Sequence, residues 1–318
     1  SNRLFNNATT VINGISVSVI VLISINIMTD YSNYIWHNSQ IIQWEEANTH
    51  VMSHVLHYGT SWFEGIRCYE TQRGSEIFRL HEHIKRLFNS AKIYRTNVPF
   101  SSEELIKGTI DTISANKLKA CYIRPIIFRG LGTIGVDPLP ATVEVYIIVW
   151  EWGAYLGTES LANGVDVMTS SWRRAAPNTF PAMAKAGGNY LNSVLIKMEA
   201  VSHGFSEGIA LDINGYVSEG SGENLFLVTE GRVLTSPTAS AILPGITRNS
   251  VICLLKDRGH EVLEQQIPRE MLYIADEVFL TGTAAEVTPV RSIDKITVGD
   301  GQRGQVTTQV QKDFFAYV

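Results

Sequence analysis

Residues 180–190 read FPAMAKAGGNY, and Lys185 at their centre is the only charged residue between Arg174 and Lys197. Small neighbours leave room for a bulky group against the backbone, and an amine in apolar surroundings gives up its proton more readily. Such an amine is a nucleophile near neutral pH, as a Schiff-base lysine must be. A surface lysine whose aliphatic stem packs along a loop could lie in the same sequence surroundings. These residues alone therefore leave both interpretations open.

Three further segments supply groups that would suit a phosphate-bearing cofactor. VSEGSGENLF at 217–226 places Glu219 in a Gly-rich turn between two predicted strands, where a backbone can approach a ring closely. AILPGITRN at 241–249 opens a helix, whose free N–H groups and dipole favour a phosphate. LTGTAAE at 280–286 adds a glycine turn with hydroxyls. Pyridoxal phosphate on a lysine needs such a carboxylate and anion cradle, although each segment also suits an ordinary turn or helix start.

Length and composition limit the classes of protein to consider. The 318 residues suggest about two domains, and 45% hydrophobic with 18% charged residues is a globular composition. A net charge of -5 without a basic stripe argues against nucleic-acid and membrane partners. The three cysteines, Cys68, Cys121 and Cys253, lie far apart without a C-x-x-C pair, which favours a reducing compartment.

The N-terminal stretch 11–27, VINGISVSVIVLISINI, is the most apolar of the chain. Its polar interruptions make it a poor membrane span, and only Arg3 precedes it, as is unusual for a secretory signal. Met28 is a plausible native start. We therefore expect residues 1–30 to be an extra segment outside the core fold, with a targeting role as the less favoured alternative.

Hydrophobic periodicity predicts strands and helices in runs. The first half is predicted to hold two short strands within 34–44, helices over 80–94 and after a Ser101/Glu104 capping box, and buried strands at 121–129 and 143–152. The second half is predicted to hold strands at 165–170, 208–213, 224–229 and 277–281, and helices at 189–202, 246–258 and 305–317. This order favours an α/β fold of α+β type over a regular doubly wound sheet.

The hydrophobic periodicity gives way to small and polar residues at 152–163, and we interpret this stretch as an interdomain loop. It separates a smaller N-terminal domain at 31–151 from a larger C-terminal domain at 164–318, where the candidate cofactor residues lie.

Two motifs suggest other functions. GLGTIG at 130–135 matches a dinucleotide fingerprint, but VDPLP and a strand follow where a helix should open, so we interpret it as a loop. His50, His54 and His57 have helical spacing and would support a metal-dependent hydrolase. We expect no metal, because their segment is predicted to be partly strand and turn, which scatters the imidazoles.

Ordered motifs from about Tyr34 to about Phe315 carry a resemblance to a known family. They include HVLHYGTSWFEGIRCY, HIKRLFNSAKIYR, YIRPIIF, AKAGGNYLNS, EGIALDINGYVSEGSGENLF, LPGITR and TGTAAEVTPVRS. The chain resembles the fold-type IV (class IV) pyridoxal-phosphate-dependent aminotransferases, and within them the bacterial enzymes for branched-chain amino acids. This resemblance implies a two-domain architecture and pyridoxal 5'-phosphate as the cofactor.

The resemblance also implies roles for the cofactor-binding residues. Lys185 would form the Schiff base and move the proton, Glu219 would contact the pyridine nitrogen, and Tyr190 would contact the phenolic oxygen. Arg86 would hold the phosphate, since its planar fork binds such oxygens bidentately. The remaining cofactor contacts would come from Leu243, Ile246, Thr247 and Thr283.

The substrate pocket implied by the resemblance is aromatic, with one arginine. Its residues would be Tyr58, Phe63, Tyr122, Arg124, Val136, Trp152, Tyr155, Thr283 and Ala284. Tyr58 and Val136 would come from the partner subunit. Arg124 would bind the side-chain carboxylate of glutamate, so that one pocket accepts both apolar and acidic side chains.

The expected reaction is a ping-pong transamination between L-leucine, L-isoleucine or L-valine and 2-oxoglutarate. We expect a cytoplasmic homodimer or higher homo-oligomer whose partners are amino acids and 2-oxo acids. A D-amino acid aminotransferase or aminodeoxychorismate lyase is the alternative on the same scaffold. The sequence GTIGV at 132–136 disfavours the D-specific relatives, which carry an Arg-x-His motif there.

Overall fold

The computed structural model describes residues 32–153 and 156–318. The expected extra segment at 1–30 and the candidate pocket residue Tyr155 therefore lie outside the described residues. Strands of the first half form one sheet and strands of the second half form another. Within these ranges no helix is long and apolar enough to cross a membrane.

The N-terminal sheet is antiparallel, with the order β2-β1-β7-β6-β4-β5 and with β3 also paired to β6. Its strands are β1 (Tyr34–His37), β2 (Gln40–Gln43), β3 (Ser61–Phe63), β4 (Ile66–Thr71), β5 (Gly74–Ile77), β6 (Cys121–Arg129) and β7 (Val143–Trp150). The helices of this half are α1 (His54–Tyr58), α2 (Leu80–Ile93) and α3 (Ser102–Asn116).

Burial of apolar side chains holds α2 on this sheet. Ile84 and Leu87 of α2 are fully buried in one cluster with Ile123 and Ile127 of β6. Each such side chain contributes about 1.5–3 kcal/mol when it leaves water. The cluster therefore fixes α2, and with it Arg86, against β6.

The predicted capping box opens α3. The backbone N–H of Glu104 donates to the Ser101 Oγ at 3.2 Å, and the Ser101 N–H donates to the Glu104 carboxylate at 2.7 Å. These two bonds satisfy donors that the first turn of a helix leaves free.

The C-terminal sheet has the order β10-β9-β8-β15-β14-β11-β12-β13, with β16 paired to β15. Its strands are β8 (Val165–Thr169), β9 (Glu207–Leu211), β10 (Val217–Gly220), β11 (Asn224–Thr229), β12 (Arg232–Thr235), β13 (Val262–Glu264), β14 (Glu277–Gly282), β15 (Glu286–Ile293) and β16 (Ile296–Thr297). The helices are α4 (Thr158–Asn163), α5 (Tyr190–Ser202), α6 (Ile246–Asp257) and α7 (Gln305–Tyr317).

Parallel and antiparallel pairs are mixed in this sheet. The β8–β9, β8–β15 and β12–β13 pairs are parallel, and the others are antiparallel. Helix α5 connects β8 to its parallel neighbour β9. The mixed pairing confirms the α+β type of fold.

Several boundaries differ from the sequence predictions. The strand predicted over 143–152 ends at Trp150, and the stretch predicted as a loop at 152–163 contains the short helix α4. The strand predicted over 208–213 ends at Leu211, because the Asp212 carboxylate accepts the N–H groups of Asn214 and Tyr216 and turns the chain.

Candidate active site

Residues from both sheets and their helices line a cavity of about 450 Å³. Ten predicted site residues are among them: Arg86, Tyr122, Lys185, Tyr190, Glu219, Leu243, Ile246, Thr247, Thr283 and Ala284. Residues separated by up to about two hundred positions in the sequence thus meet around one space.

Backbone contacts hold Lys185 at the wall of this cavity. Its N–H donates to the Ser90 Oγ at 2.9 Å, and its carbonyl accepts the Phe63 N–H at 3.1 Å. The Lys185 amine donates to the Tyr190 hydroxyl oxygen at 2.5 Å. It also lies 4.9 Å from the centroid of the Phe63 ring. The amine therefore has a fixed backbone and one short polar partner.

The small residues beside Lys185 also allow close packing against β3, a role that the sequence did not indicate. Ala184 and Ala186 are buried, and Ala186 forms a bridge with Trp62 of β3. A Cβ on Gly187 would lie 2.2 Å from the Ser61 Oγ, so a larger side chain does not fit. The small side chains thus let the lysine segment press against β3, and Ala184 and Gly188 also line the cavity beside Lys185.

The Glu219 carboxylate is buried and has three partners. Its Oε1 lies 3.2 Å from an Arg174 nitrogen, and its Oε2 accepts the Leu243 N–H at 3.0 Å and the Asn224 side-chain amide at 3.1 Å. Burial raises the pKa of Glu219, whereas Arg174, the Leu243 N–H and Lys185 oppose that shift. The carboxylate is thereby fixed in position at the cavity wall.

The local setting of Glu219 corrects the expected turn. Glu219 lies on β10 and the turn begins after Gly220, so the strand, rather than the glycines, orients the carboxylate. Arg174 and Asn224 were not predicted as site residues. Arg174 lies in the stretch SSWRRAAPNTFP at 170–181, but nothing in the spacing of that stretch indicates that Arg174 faces Glu219.

A fully buried carboxylate, Glu64, orients Arg86. The Arg86 Nε and Nη2 atoms donate to the two Glu64 oxygens at 2.7 and 2.8 Å, and its Nη1 donates to the Pro244 carbonyl at 3.0 Å. The His83 Nδ1 lies 2.8 Å from the same carboxylate. Burial favours the neutral acid, but Arg86 and His83 outweigh it and hold the pKa of Glu64 well below its usual range.

Sequence reasoning missed this role of Glu64, although one signal was available. WFEGI places a single carboxylate among apolar residues, and such a group is rarely buried without a cationic partner. Its partners lie 19 and 22 positions away on α2, so the fold was needed to identify them.

The N-terminus of α6 faces the cavity with Ile246 and Thr247. Gly245 is the N-cap residue of α6. Among the described residues it makes no side-chain capping hydrogen bond to the first turn. The free N–H groups and the dipole of a helix start favour an anion. Arg86 and Thr283 line the same cavity. This end of the cavity therefore suits a phosphate.

An aromatic cluster surrounds Arg124. Its guanidinium carbon lies 4.8 Å from the Phe63 ring centroid, 5.4 Å from that of Tyr122 and 5.7 Å from that of Trp150. The Tyr122 and Trp152 rings meet edge to face at 4.5 Å. The Arg124 Nε is buried without a hydrogen-bond partner within 32–153 and 156–318. This cluster therefore offers apolar surface together with one cationic group.

A second arginine, Arg67, was not predicted. Its Nε donates to the Thr283 carbonyl at 3.0 Å, and its Nη2 donates to the carbonyls of Ala284 at 3.1 Å and Gly153 at 3.0 Å. Arg67 therefore ties the Thr283–Ala284 turn to the segment that follows β7.

Tyr58 and Val136 do not line the cavity. The Tyr58 hydroxyl donates to the Ile134 carbonyl at 2.7 Å, and the neighbouring Val136 is 82% exposed. Helix α1 and the loop at 130–142 thus form a surface of their own. That loop joins β6 to β7 without a helix at Gly135, as the sequence predicts.

The three candidate metal ligands have other partners. His50 accepts the Met52 N–H, His57 bonds the Val51 carbonyl, and His54 bonds Thr60 and the Gly135 carbonyl. His54 and His57 lie on α1, so the expected strand and turn are wrong at 54–58. Within the described ranges no group of three His, Cys, Asp or Glu residues is placed to hold a metal ion.

The sequence model of the family described as amino-transferase class IV matches residues 61–293. The chain belongs to the class IV aminotransferases. It is 56% identical over 288 residues to the branched-chain-amino-acid aminotransferase of Salmonella typhimurium, covering 90% of this chain and 93% of that one. The Escherichia coli branched-chain amino acid aminotransferase structure is 56% identical, with a TM-score of 0.89 over 90% of this chain and 94% of that one.

The chain is also similar to a structure solved in its PLP form. This branched-chain amino acid aminotransferase from Thermobaculum terrenum is 34% identical, with a TM-score of 0.84 over 91% of this chain and 94% of that one. Together these findings confirm the expected family, the two-domain α+β fold and the transamination of branched-chain amino acids.

Proposed function

We propose that the chain binds pyridoxal 5'-phosphate in the cavity and exchanges amino groups between L-leucine, L-isoleucine or L-valine and 2-oxoglutarate in two half-reactions. The observation that carries the proposal is that Lys185, Glu219 and the N-terminus of α6 line one cavity. A nucleophilic amine, a carboxylate and an anion site are what this cofactor needs at three points. The PLP form of the Thermobaculum terrenum relative supports the same assignment.

The cofactor supplies a carbonyl that exchanges with amines and a ring that accepts electrons. Glu219, fixed by Arg174, Asn224 and the Leu243 N–H, would face the ring nitrogen and hold its proton. Leu243 contributes its backbone to this end of the site. The phosphate would lie against Arg86, Ile246, Thr247 and Thr283.

Lys185 would hold the cofactor and then, once released, move the proton at the substrate Cα. Its fixed backbone keeps the amine within reach of one position, which general base catalysis requires. The Tyr190 hydroxyl, 2.5 Å from the amine, would orient it and contact the phenolic oxygen of the cofactor. The amine also lies over the aromatic face of Phe63, 4.9 Å from the ring centroid.

Substrate side chains of two kinds would enter the aromatic cluster. Phe63, Tyr122 and Trp152, with Tyr155, would contact a branched apolar side chain. Arg124 would bind the side-chain carboxylate of glutamate. Its buried Nε has no hydrogen-bond partner among the described residues and is a donor for such an acid. The substrate α-carboxylate would lie at the Thr283–Ala284 turn, which Arg67 holds in place.

We also propose that the enzyme is a homodimer or a higher homo-oligomer. Tyr58 and Val136 lie outside the cavity lining of their own chain, and Leu131, Ile134 and Leu139 of the same loop are exposed apolar residues. A second copy would cover this surface and receive Tyr58 and Val136 at its own pocket. We propose that neither a nucleic acid nor a membrane is a partner of this protein.

The two sheets suggest the domain division, and the cysteines suggest the compartment. We propose a small domain at 31–151 and a large domain at 164–318, since each contains one sheet with its own buried cluster. We propose a cytoplasmic location, which Cys68, Cys121 and Cys253 support because all three are free thiols. Fractionation of cells that express the chain would test the location.

Chemical trapping tests the proposed cofactor site. The protein is incubated with pyridoxal phosphate, reduced with borohydride and digested, and mass spectrometry identifies the lysine that carries the cofactor. We expect the modification on Lys185, and its loss when L-leucine is added before reduction. Modification of other lysines without Lys185 would refute the assignment.

A further inference from the structure

The cavity contains a second buried carboxyl group, Glu223, to which the reaction described above gives no role. Glu223 is 4% exposed and lines the cavity in the turn that joins β10 to β11. It follows Glu219 by four positions and directly precedes Asn224, whose amide holds the Glu219 carboxylate. Glu223 therefore lies in the segment that positions Glu219.

Short contacts fold the Glu223 side chain back over its own turn. Its Oε2 accepts the Gly222 N–H at 3.1 Å, and its carbonyl accepts the Gly220 N–H at 2.7 Å. A Cβ on Gly220 would lie 2.7 Å from the same Oε2, so the carboxyl packs directly against Gly220. The carboxyl thus rests on the residue next to Glu219.

The two neighbouring carboxylates have cations of their own. Glu207 of β9 is fully buried, and its Oε2 lies 2.9 Å from the Lys197 amine of α5. Glu207 also accepts the Ser221 N–H at 3.3 Å, so it reaches the same turn from the other side. Glu219 of β10 is paired with Arg174. Within 32–153 and 156–318 no cationic group lies at ion-pair distance from Glu223.

A buried carboxyl without a cation is more stable when it is protonated. Burial and then the charge of Glu207 raise the pKa of Glu223 to about 8, with a further contribution from Glu219. The Gly222 N–H and Lys197 oppose this shift. At neutral pH Glu223 is therefore a neutral acid that lies between the Glu207–Lys197 and Glu219–Arg174 pairs.

We propose that Glu223 is a positioning residue that carries a proton in the working enzyme and holds the β10–β11 turn, so that Glu219 keeps its place between Arg174 and the cofactor ring. This inference rests on the proposed role of Glu219. Loss of the Glu223 proton would place a third negative charge beside Glu207 and Glu219. That charge would loosen the turn and change the proton affinity of Glu219, and turnover would fall.

The first test uses the protein without cofactor. We compare the pH dependence of the unfolding equilibrium of the wild type and of Glu223→Gln, which imitates the neutral acid. The native wild type keeps a proton that the unfolded chain loses near the ordinary value of 4.5, so it should lose stability relative to the variant between about pH 5 and pH 8. The expected decrease is about tenfold in the folding equilibrium constant per pH unit.

Glu230→Gln is the matched control, because Glu230 is an exposed residue in the turn between β11 and β12 and forms an ion pair with Arg232. The pH dependence of its unfolding equilibrium should match that of the wild type. Equal pH dependence in wild type and Glu223→Gln would overturn the proposed proton on Glu223.

The second test measures leucine transamination against pH with bound cofactor. The wild type should lose kcat/KM above about pH 8, and Glu223→Gln should lack that loss. The first test could show that Glu223 is protonated while the second shows the same pH dependence of kcat/KM in wild type and Glu223→Gln. That combination would refute the positioning role. If the protein does not take up the cofactor, the proposed function fails, whereas the first test still decides the protonation of Glu223.

A second variant covers the case in which Glu223→Gln does not fold. Glu207→Gln removes the neighbouring charge, so Glu223 should ionise at lower pH and the alkaline loss of kcat/KM should move downward. An unmoved profile in Glu207→Gln would also refute the proposal.

Discussion

The Lys185 amine lies 2.5 Å from the phenolic oxygen of Tyr190, five positions along the chain. This contact depends on the tight segment AKAGGNY, which presses against β3 through Ala186 and Gly187 before α5 begins at Tyr190. The same segment therefore fixes both the nucleophile and the group that orients it. Glu219 and the N-terminus of α6 come to this cavity from the C-terminal sheet and its helix.

Lys185→Arg should abolish turnover. Arginine keeps the positive charge, but its guanidinium does not give up its proton and cannot serve as the base. We expect leucine transamination to fall by more than about 100-fold. Lys107→Arg, on the exposed surface of α3, is the control and should leave the rate unchanged. Substantial turnover in Lys185→Arg would contradict the proposed role.

Glu64→Gln should destabilise the fold and weaken the binding of the cofactor. It leaves Arg86 buried without its carboxylate, which costs about 3–5 kcal/mol of unfolding free energy. Glu70→Gln breaks the exposed pair with Lys119 and should cost less than about 1 kcal/mol. Denaturant unfolding measures both variants. Similar losses for the two would show that burial of the Arg86–Glu64 pair has no special importance.

The pH dependence of the Glu64 contribution has a defined sign. Its pKa in the folded state is lowered from the ordinary value of 4.5, so its contribution to stability is complete well above that value. As the pH falls below about 4.5, the unfolded chain takes up the proton first and the contribution is lost. The stability difference between wild type and Glu64→Gln should therefore shrink below about pH 4.5. A difference that widens on acidification would contradict this sign.

Arg124→Gln should distinguish the two kinds of substrate. Loss of one charged hydrogen bond to a carboxylate is worth about 2 kcal/mol, or about 30-fold in kcat/KM. We expect that decrease with glutamate and 2-oxoglutarate, and a much smaller one in the half-reaction with leucine. Arg73→Gln is the control on an exposed side chain. Equal decreases for glutamate and leucine would assign Arg124 a structural role instead.

Mixed oligomers test whether Val136 serves the neighbouring pocket. Lys185→Ala and Val136→Arg chains should each be inactive. A mixed dimer joins the intact lysine of one chain to the intact loop of the other, so random mixing should restore about a quarter of the active sites. If Val136 acts within its own chain, co-expression of the two variants will restore no activity.

The sequence predicted residues that line the cavity better than the residues that hold them in place. Lys185 stood out because no other charge lies near it, and the start of α6 followed from LPGITR. Arg174 and Asn224 hold the Glu219 carboxylate, and Glu64 holds Arg86. These partners depend on how β10, α2 and the loops meet, which local periodicity does not encode.

Two strands of the N-terminal sheet, β4 and β5, were missed for a related reason. β4 and β5 form a hairpin whose distal residues are partly exposed, so the apolar alternation that marks a strand is weak there. Their pairing with β6 is a tertiary property. By contrast, β6 and β7 are apolar along most of their length and were predicted almost to their ends.

The visible absorption spectrum tests the central claim most directly. The protein is loaded with pyridoxal phosphate and its spectrum is recorded before and after L-leucine, with D-alanine in a parallel sample. If the protein binds the cofactor and transaminates L-amino acids, it will show a yellow band that L-leucine bleaches and D-alanine leaves in place. A protein that never turns yellow, or a band that D-alanine alone bleaches, would contradict it.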